Sequence, residues 1–315
     1  MIRKYIIFSF IGLALTAPLQ AQSKDGLFNL GRPSSKTNES STKDAKKPNL
    51  CTQHYPLGAP LIVSAEKEKI ARRSFYLCEQ NYAVQFDPAT KNPIWVAERL
   101  VGSEQANTFV ERADNFQSHP VVPKPAQASL NDYRGSKFDR GHMAPAADML
   151  DDYSMNQSFF LTNMVPQVGP NMNRGIWADL EAMARKWSEA RGEVLVLSGP
   201  IFGQGFKTMG KSNVAVPTHL YKIVLDPKTS ESIAFVMPNV QIVTRKTRSL
   251  DQGNPEFPQT MPQSAVNCGR ACIIDDFIVP LSTVEQATGL QFFSQLDAQQ
   301  KQKASQKGRM WSVRR

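Results

Sequence analysis

Tyr133-Arg-Gly-Ser-Lys-Phe-Asp-Arg-Gly-His-Met-Ala-Pro145 is the stretch on which the reading of this chain turns. The protein has only four histidines, His54, His119, His142 and His219. Histidine is the usual proton acceptor near neutral pH, so each is a candidate base. His142 alone has a glycine on one side and an arginine and an aspartate just upstream. Gly141 lets the backbone approach a ligand closely. Arg140 offers a planar fork suited to a phosphate, and the imidazole can take a proton from water. The plainer alternative is a histidine packed at a strand end beside an Asp139–Arg140 surface pair.

Working outward, Leu161-Thr-Asn-Met-Val-Pro-Gln167 is followed by Asn173-Arg-Gly-Ile-Trp-Ala-Asp-Leu-Glu181. Apolar residues at Trp177, Leu180, Ala184 and Trp187 have helical spacing, which predicts one helix over Asn173–Ala190. On it Glu181 stands two turns beyond Asn173 and about 80° around the axis. An asparagine oxygen is a hard neutral ligand of the kind Mg²⁺ accepts, and a carboxylate behind it can hold water. Spacing alone equally allows Asn173 as a helix cap and Glu181 as a surface partner of Arg185.

On either side the pattern is mostly of strands. Arg73–Cys78 and Tyr82–Phe86 alternate like two strands, Asp87-Pro-Ala-Thr-Lys-Asn-Pro93 reads as a turn, and Ile94–Leu100 as a third strand. Ser158–Met164 reads as a strand or a short helix feeding one. Glu193–Ser198 is a buried strand expected to end at Gly199-Pro200. His219–Leu225 and Ser232–Met237 pair around Asp226-Pro-Lys-Thr, and Val284–Phe293 is a late helix or turn. No regular β-α-β alternation occurs, so a mixed α+β domain around a largely antiparallel sheet with flanking helices fits best.

The three quoted runs together resemble the DNA/RNA non-specific endonuclease family, which includes secreted bacterial nucleases and mitochondrial endonuclease G. The resemblance extends through Trp95–Leu100, Val196–Phe202, Val216–Ile223 and Thr288–Phe293, covering most of Tyr82–Leu296. It implies a ββα-metal nuclease fold and cleavage of DNA and RNA as substrates. It assigns His142 as general base, Asn173 as the direct protein ligand of Mg²⁺ (Mn²⁺ able to stand in), Glu181 as holder of metal waters, and Arg140 as a phosphate contact. Arg112, in Val110–Phe116, matches a further family arginine in a looser motif. Asn163 falls on a family asparagine with a supporting role. The expected products carry 5′-phosphates. An idle nucleic-acid-binding member of the family is the alternative.

The rest of the sequence bears on compartment and partners. Arg3 and Lys4 precede an apolar run from Tyr5 to Leu15, and Ala17-Pro-Leu-Gln-Ala21 offers a small-residue cleavage site. That run is shorter than the roughly 20 residues a bilayer requires, so 1–21 reads as a signal peptide, with a buried N-terminal helix as the rival. Export to the periplasm or the medium follows, and no later run predicts membrane insertion. Residues 22–49 read as a flexible polar leader, 50–296 as the nuclease domain and 297–315 as a polar helix or loose basic tail. The net charge of +9 favours polyanionic partners without itself naming a nuclease. No base-reading motif occurs, so phosphate contacts would position the substrate without specifying it. The four cysteines of an exported chain are expected to pair as Cys51–Cys78 and Cys268–Cys272, a zinc site being the rival. Ser198, at a strand end but outside any Gly-x-Ser-x-Gly elbow, is the remaining candidate nucleophile. His219 is expected to be packed, and His54 and His119 solvated.

Overall fold

Two Asp-Pro turns set the register of the main sheet. In Asp87-Pro-Ala-Thr-Lys91 the Asp87 carboxylate accepts from the backbone N–H of Ala89 (3.0 Å) and Thr90 (3.3 Å). In Asp226-Pro-Lys-Thr-Ser230 the Asp226 carboxylate accepts from Lys228 (2.8 Å) and Thr229 (3.2 Å). Each turn closes through a non-glycine residue with positive φ, Lys91 or Ser230. The side chain thus satisfies the turn's own backbone donors, which is why Asp leads such turns.

The computed structural model describes residues 50–63, 72–242, 268 and 272–313; the expected signal peptide and leader lie outside them. Pro48–Arg315 groups as one compact unit. In chain order the strands are β1 (Leu61–Ile62), β2 (Phe75–Cys78), β3 (Tyr82–Asp87), β4 (Asn92–Val101), β5 (Phe138–His142) and β6 (Met164–Val168). Then come β7 (Glu193–Ile201), β8 (Thr208–Met209), β9 (Val214–Ala215), β10 (His219–Asp226), β11 (Glu231–Pro238), β12 (Ile278–Val279) and β13 (Leu290–Gln291). Seven form one sheet in the order β12-β11-β10-β7-β4-β3-β2, and every ladder in it is antiparallel.

This sheet is covered on both faces, so its central strands read as continuous apolar runs. Val96, Leu100, Val194, Val196, Leu220 and Val224 face one core with Trp177, Leu180 and Trp187. Their neighbours Trp95, Ala97, Leu195, Leu197, Tyr221, Ile223 and Leu225 face another with Leu281, Val284, Phe292 and Phe293. Each fully buried side chain of this kind stabilises the fold by about 1.5–3 kcal/mol relative to exposure.

One strand outruns its expected end, and three stretches left with alternatives take one of them. β7 runs through Gly199-Pro200 to Ile201, because its ladder to β4 stops at Ser198 and Pro200 interrupts no pairing on that side. The Ser158–Met164 run takes the second of its two expected forms, a short helix feeding a strand: a 3₁₀ turn over Leu161–Asn163 leads into β6 at Met164. The Val284–Phe293 run splits into the helix Leu281–Thr288 and β13, with left-handed Gly289 between. Beyond Leu296 the chain forms a helix, Ala298–Ala304, whose Asp297 caps Gln300 N. It then continues so that Met310, Trp311 and Val313 pack on the first core. Gly308 permits this, since a Cβ there would stand 2.4 Å from the Ser232 carbonyl oxygen. Cys51–Cys78 and Cys268–Cys272 are both disulfides. With the four sulfurs committed to each other in pairs, the zinc reading of the cysteines fails.

Candidate active site

The hairpin β5–β6 presents His142 opposite Met164 and Gly141 opposite Val165. Gly141 is needed for close approach: a Cβ there would stand 2.6 Å from Gln167 Cβ and 1.9 Å from its Oε1. Asn163 clamps the chain just past the histidine. Its Oδ1 accepts from Ala144 N (3.0 Å), its Nδ2 donates to Ala144 O (2.8 Å) and Ser158 O (2.9 Å), and its carbonyl accepts from Met143 N (3.1 Å). Three of the four hydrogen-bonding positions of this buried amide go to backbone, which fixes the turn just past His142.

His142 is wedged between Phe116 and Phe159, with ring centroids 5.7 and 5.0 Å away. Burial first, then the positive charges of Arg112 and Arg140, push its pKa down to about 3. The imidazole is therefore neutral at physiological pH. Its Nε2 is buried without a hydrogen-bond partner. The two arginines lie over the same aromatic rings, Arg140 4.0 Å from the Phe116 centroid and Arg112 4.9 Å from that of Phe159. Arg112 is further held by Asp114 at 2.8 Å.

Gly169–Trp177 follows β6 as an irregular, π-helical segment, and a regular helix runs only over Ala178–Arg191. Pro170, Asn171 and Gly175 leave helical backbone geometry, so the single helix expected over Asn173–Ala190 does not form. The angular relation between Asn173 and Glu181 inferred from it does not hold, and Asn173 is not the cap of the helix. The residues whose spacing suggested the helix, Trp177, Leu180, Ala184 and Trp187, all lie beyond Gly175, so the periodicity did not reach the break. Asn173 Nδ2 donates to Asp139 Oδ2 at 2.9 Å. A carboxylate can only accept, so this bond turns the amide oxygen of Asn173 away from Asp139. Glu181 lies in the first turn of the helix with Oε1 buried and without a hydrogen bond. Burial raises its pKa to about 7, with Asp148 adding to the rise and Lys222 and Arg185 opposing it. Arg185 is not the surface partner of Glu181; it pairs with buried Asp148 at 2.6 Å.

Arg112, Arg140 and Asn173 line a cleft of about 540 Å³ together with Phe116, Tyr133, Arg134, Asp139 and Arg174. Four arginines against one carboxylate make it a receptacle for an anion. Asp139 is engaged by Arg174 at 3.0 Å. Neither His142 nor Glu181 forms part of the cleft wall; each has a buried, unpartnered polar atom. Arg134 and Arg174 were not singled out in the sequence, although Arg174 directly follows Asn173 and Arg134 opens the run that ends in His142.

A model of the DNA/RNA non-specific endonuclease family matches residues 65–299. The chain belongs to this family. It is 34% identical over 237 residues to Nuclease C1 of Cunninghamella echinulata var. echinulata, covering 70% of this chain and 84% of that one. It is 30% identical over 227 residues to human "Endonuclease G, mitochondrial", covering 68% of this chain and 67% of that one. With human "Nuclease EXOG, mitochondrial" the match is 32% over 257 residues, covering 74% of this chain and 62% of that one. Among solved structures, the EndoG/EndoGI complex matches with a TM-score of 0.59 at 27% identity, covering 76% of this chain and 96% of that one. The α+β, ββα-metal fold is that of this family, whose members are nucleases that act on nucleic acids and depend on a metal.

Beneath the cleft the endonuclease carries a band of buried charge that sequence reading missed. Glu98, Asp148 and Lys222 are 1%, 3% and 1% exposed. Burial drives the Glu98 carboxyl well above its usual range, helped by Asp148 and opposed by Lys222. The only signal was a Glu and a Lys at inward positions of strands otherwise read as apolar. Ser198, the other candidate nucleophile, is part of this band and 1% exposed, out of reach of any substrate. His54 and His119, expected to be solvated, are buried instead. His119 Nε2 pairs with Glu79 Oε1 at 2.8 Å, and His54 Nε2 lies 3.2 Å from the Glu79 carbonyl oxygen. His219 is half-buried at the start of β10.

Proposed function

We propose that this endonuclease is exported and cleaves DNA and RNA in the presence of Mg²⁺, with His142 as the general base. The observation that carries the reading is the buried, unpartnered Nε2 of His142, held neutral behind a cleft walled by arginines. A base must be neutral to accept a proton, and here burial and two cations keep it so.

The chain's own groups divide the work. Arg112, Arg134, Arg140 and Arg174 attract and seat a phosphodiester through its anionic oxygens. The seated phosphate offsets the charges of Arg112 and Arg140, which strengthens the neighbouring imidazole as a base. His142 Nε2 then takes a proton from water as that water attacks phosphorus. The cleft contacts are to phosphate, which accounts for indifference to sequence and to sugar.

The residues present fit a hard divalent cation. Asn173 has its amide oxygen turned away from Asp139, and Glu181 holds an unsatisfied buried oxygen. Among the described residues the cleft has no cluster of three acidic, cysteine or histidine ligands, which suits an ion that keeps most of its water. Asn173 would hold the ion, with Glu181 behind it, and the ion would neutralise charge on a non-bridging oxygen and on the departing 3′ oxygen.

Export rests on the Met1–Ala21 sequence, whereas several relatives carry mitochondrial names. Among the described residues no helix is long and apolar enough to cross a membrane. N-terminal sequencing of the mature protein, starting at Gln22, would support export. For activity, purified protein is incubated with plasmid, single-stranded DNA and RNA, with Mg²⁺ or EDTA. All three should be cut, with 5′-phosphate ends, only with the metal. His142→Ala should lower the rate by about 10²–10⁴-fold while binding and folding persist. A variant retaining more than about a tenth of the rate would remove His142 from the base role. Binding without cleavage by the wild-type protein would establish an idle member.

A further inference from the structure

On β10, Leu220, Lys222 and Val224 point to the face of the sheet that carries the cleft, and Lys222 occupies the middle of this apolar row. Its partner across the ladder to β7 is Ser198. Glu98, on β4, shares that face, lying between Val96 and Leu100. Taking an ammonium out of water costs several kcal/mol, and an apolar side chain of similar volume often serves stability as well or better. Stability is therefore a poor reason for a lysine here.

The bonds of Lys222 suggest another. Its Nζ donates to Ser198 Oγ at 2.6 Å and to the carbonyl oxygen of Met143 at 3.4 Å. It also lies 4.9 Å from the centre of the Trp177 ring. Met143 is the residue after His142, and Trp177 is the last residue before the Ala178–Arg191 helix that carries Glu181. One ammonium, fixed from the rigid sheet by Ser198, thus reaches both arms of the site. Asn163 holds the same turn from the opposite side through Met143 N and Ala144.

We propose that Lys222 is a positioning residue that, anchored by Ser198, holds the chain at His142 and the start of the Glu181 helix in their working arrangement. It touches no substrate. The inference rests on the reading of His142 as base, because only then does a shift of this turn alter the rate. A displacement well under 1 Å suffices, since catalytic geometry is that demanding.

The test compares wild type, Lys222→Met, Ser198→Ala and the double variant in steady-state cleavage and in amide hydrogen exchange. Lys222→Met should lower kcat about tenfold or more with KM changed by less than about threefold, as expected of misplaced chemistry with an intact cleft. Exchange at the Met143 and Ala144 amides should quicken, while that at Val196 and Val224 in the sheet stays unchanged. Ser198→Ala should lower kcat by about threefold alone and have no further effect in the Lys222→Met background. Wild-type kcat and unaltered exchange at Ala144 in a folded Lys222→Met protein would overturn the proposal. Should that variant not fold, Ser198→Ala decides: unchanged kcat and exchange would overturn it equally. If the wild-type protein cleaves nothing, the reading of function fails, and the exchange measurements still judge Lys222 on their own.

Discussion

Moving the protein from pH 7 to pH 5 should weaken the fold through His142 by about 2 kcal/mol. Folded His142 takes up its proton only at about 3, whereas the unfolded chain does so at its ordinary 6.5. Between those values unfolding binds a proton, so the stability contributed by His142 falls as pH falls. Each pH unit below 6.5 costs about 1.4 kcal/mol, and little has been lost by pH 7. Glu181 acts in the opposite sense. Its folded pKa of about 7 lies above the ordinary 4.5, so acidification through this range favours the folded state. Wild-type stability alone therefore hides both effects. The informative measurement is urea unfolding of wild type and His142→Gln at pH 7 and pH 5, without divalent metal and at fixed ionic strength. The variant should gain on the wild type by about 2 kcal/mol between the two pH values. A gap that stays constant to within about 0.5 kcal/mol would refute the buried, neutral histidine on which the mechanism depends.

Two further outcomes are expected. Asn173→Ala should raise the Mg²⁺ concentration needed for half-maximal cleavage far more than it lowers the melting temperature, since Asn173 caps no helix here; a large drop in melting temperature with unchanged Mg²⁺ dependence would show a structural role instead. Gly141→Ala should destabilise the protein by about 1–3 kcal/mol and reduce cleavage sharply, because the added methyl collides with the Gln167 side chain close to its backbone; thermal melts and plasmid cleavage measure both, and a neutral substitution would show that the hairpin yields there.

Short-range chemistry was readable and long-range chemistry was not. The Asp139–His142 run, the strand pair around Asp226 and the Cys268–Cys272 disulfide each depend on neighbours in sequence, and the structure brings Arg112, Arg140 and Asn173 to one cleft. His54 and His119 misled because their burial depends on a shared partner, Glu79, 25 and 40 residues away in sequence, about which polar flanks say nothing. The break at Gly175 was invisible to periodicity, since all four apolar residues that set the helical spacing lie beyond it. Lys222 and Glu98 lay inside runs whose β-branched neighbours dominated the pattern. The polar composition after Leu296 concealed Met310, Trp311 and Val313, whose apolar side chains dock on the first core.

That docking ties a remote stretch of the chain to the helix that carries Glu181. Trp187 Nε1 donates to the carbonyl oxygen of Trp311 at 3.1 Å, the two rings meet edge to face, and Arg191 lies 3.9 Å from the centre of the Trp311 ring. Trp187 and Arg191 belong to the helix that carries Glu181. During synthesis this helix is complete long before residue 311 emerges, and until then a Trp–Phe surface formed with Phe235 stays open to water. A nascent or shortened chain thus exposes apolar surface of the kind that chaperones and proteases recognise. The apolar face of this helix closes only when a partner 124 residues further along the chain is in place.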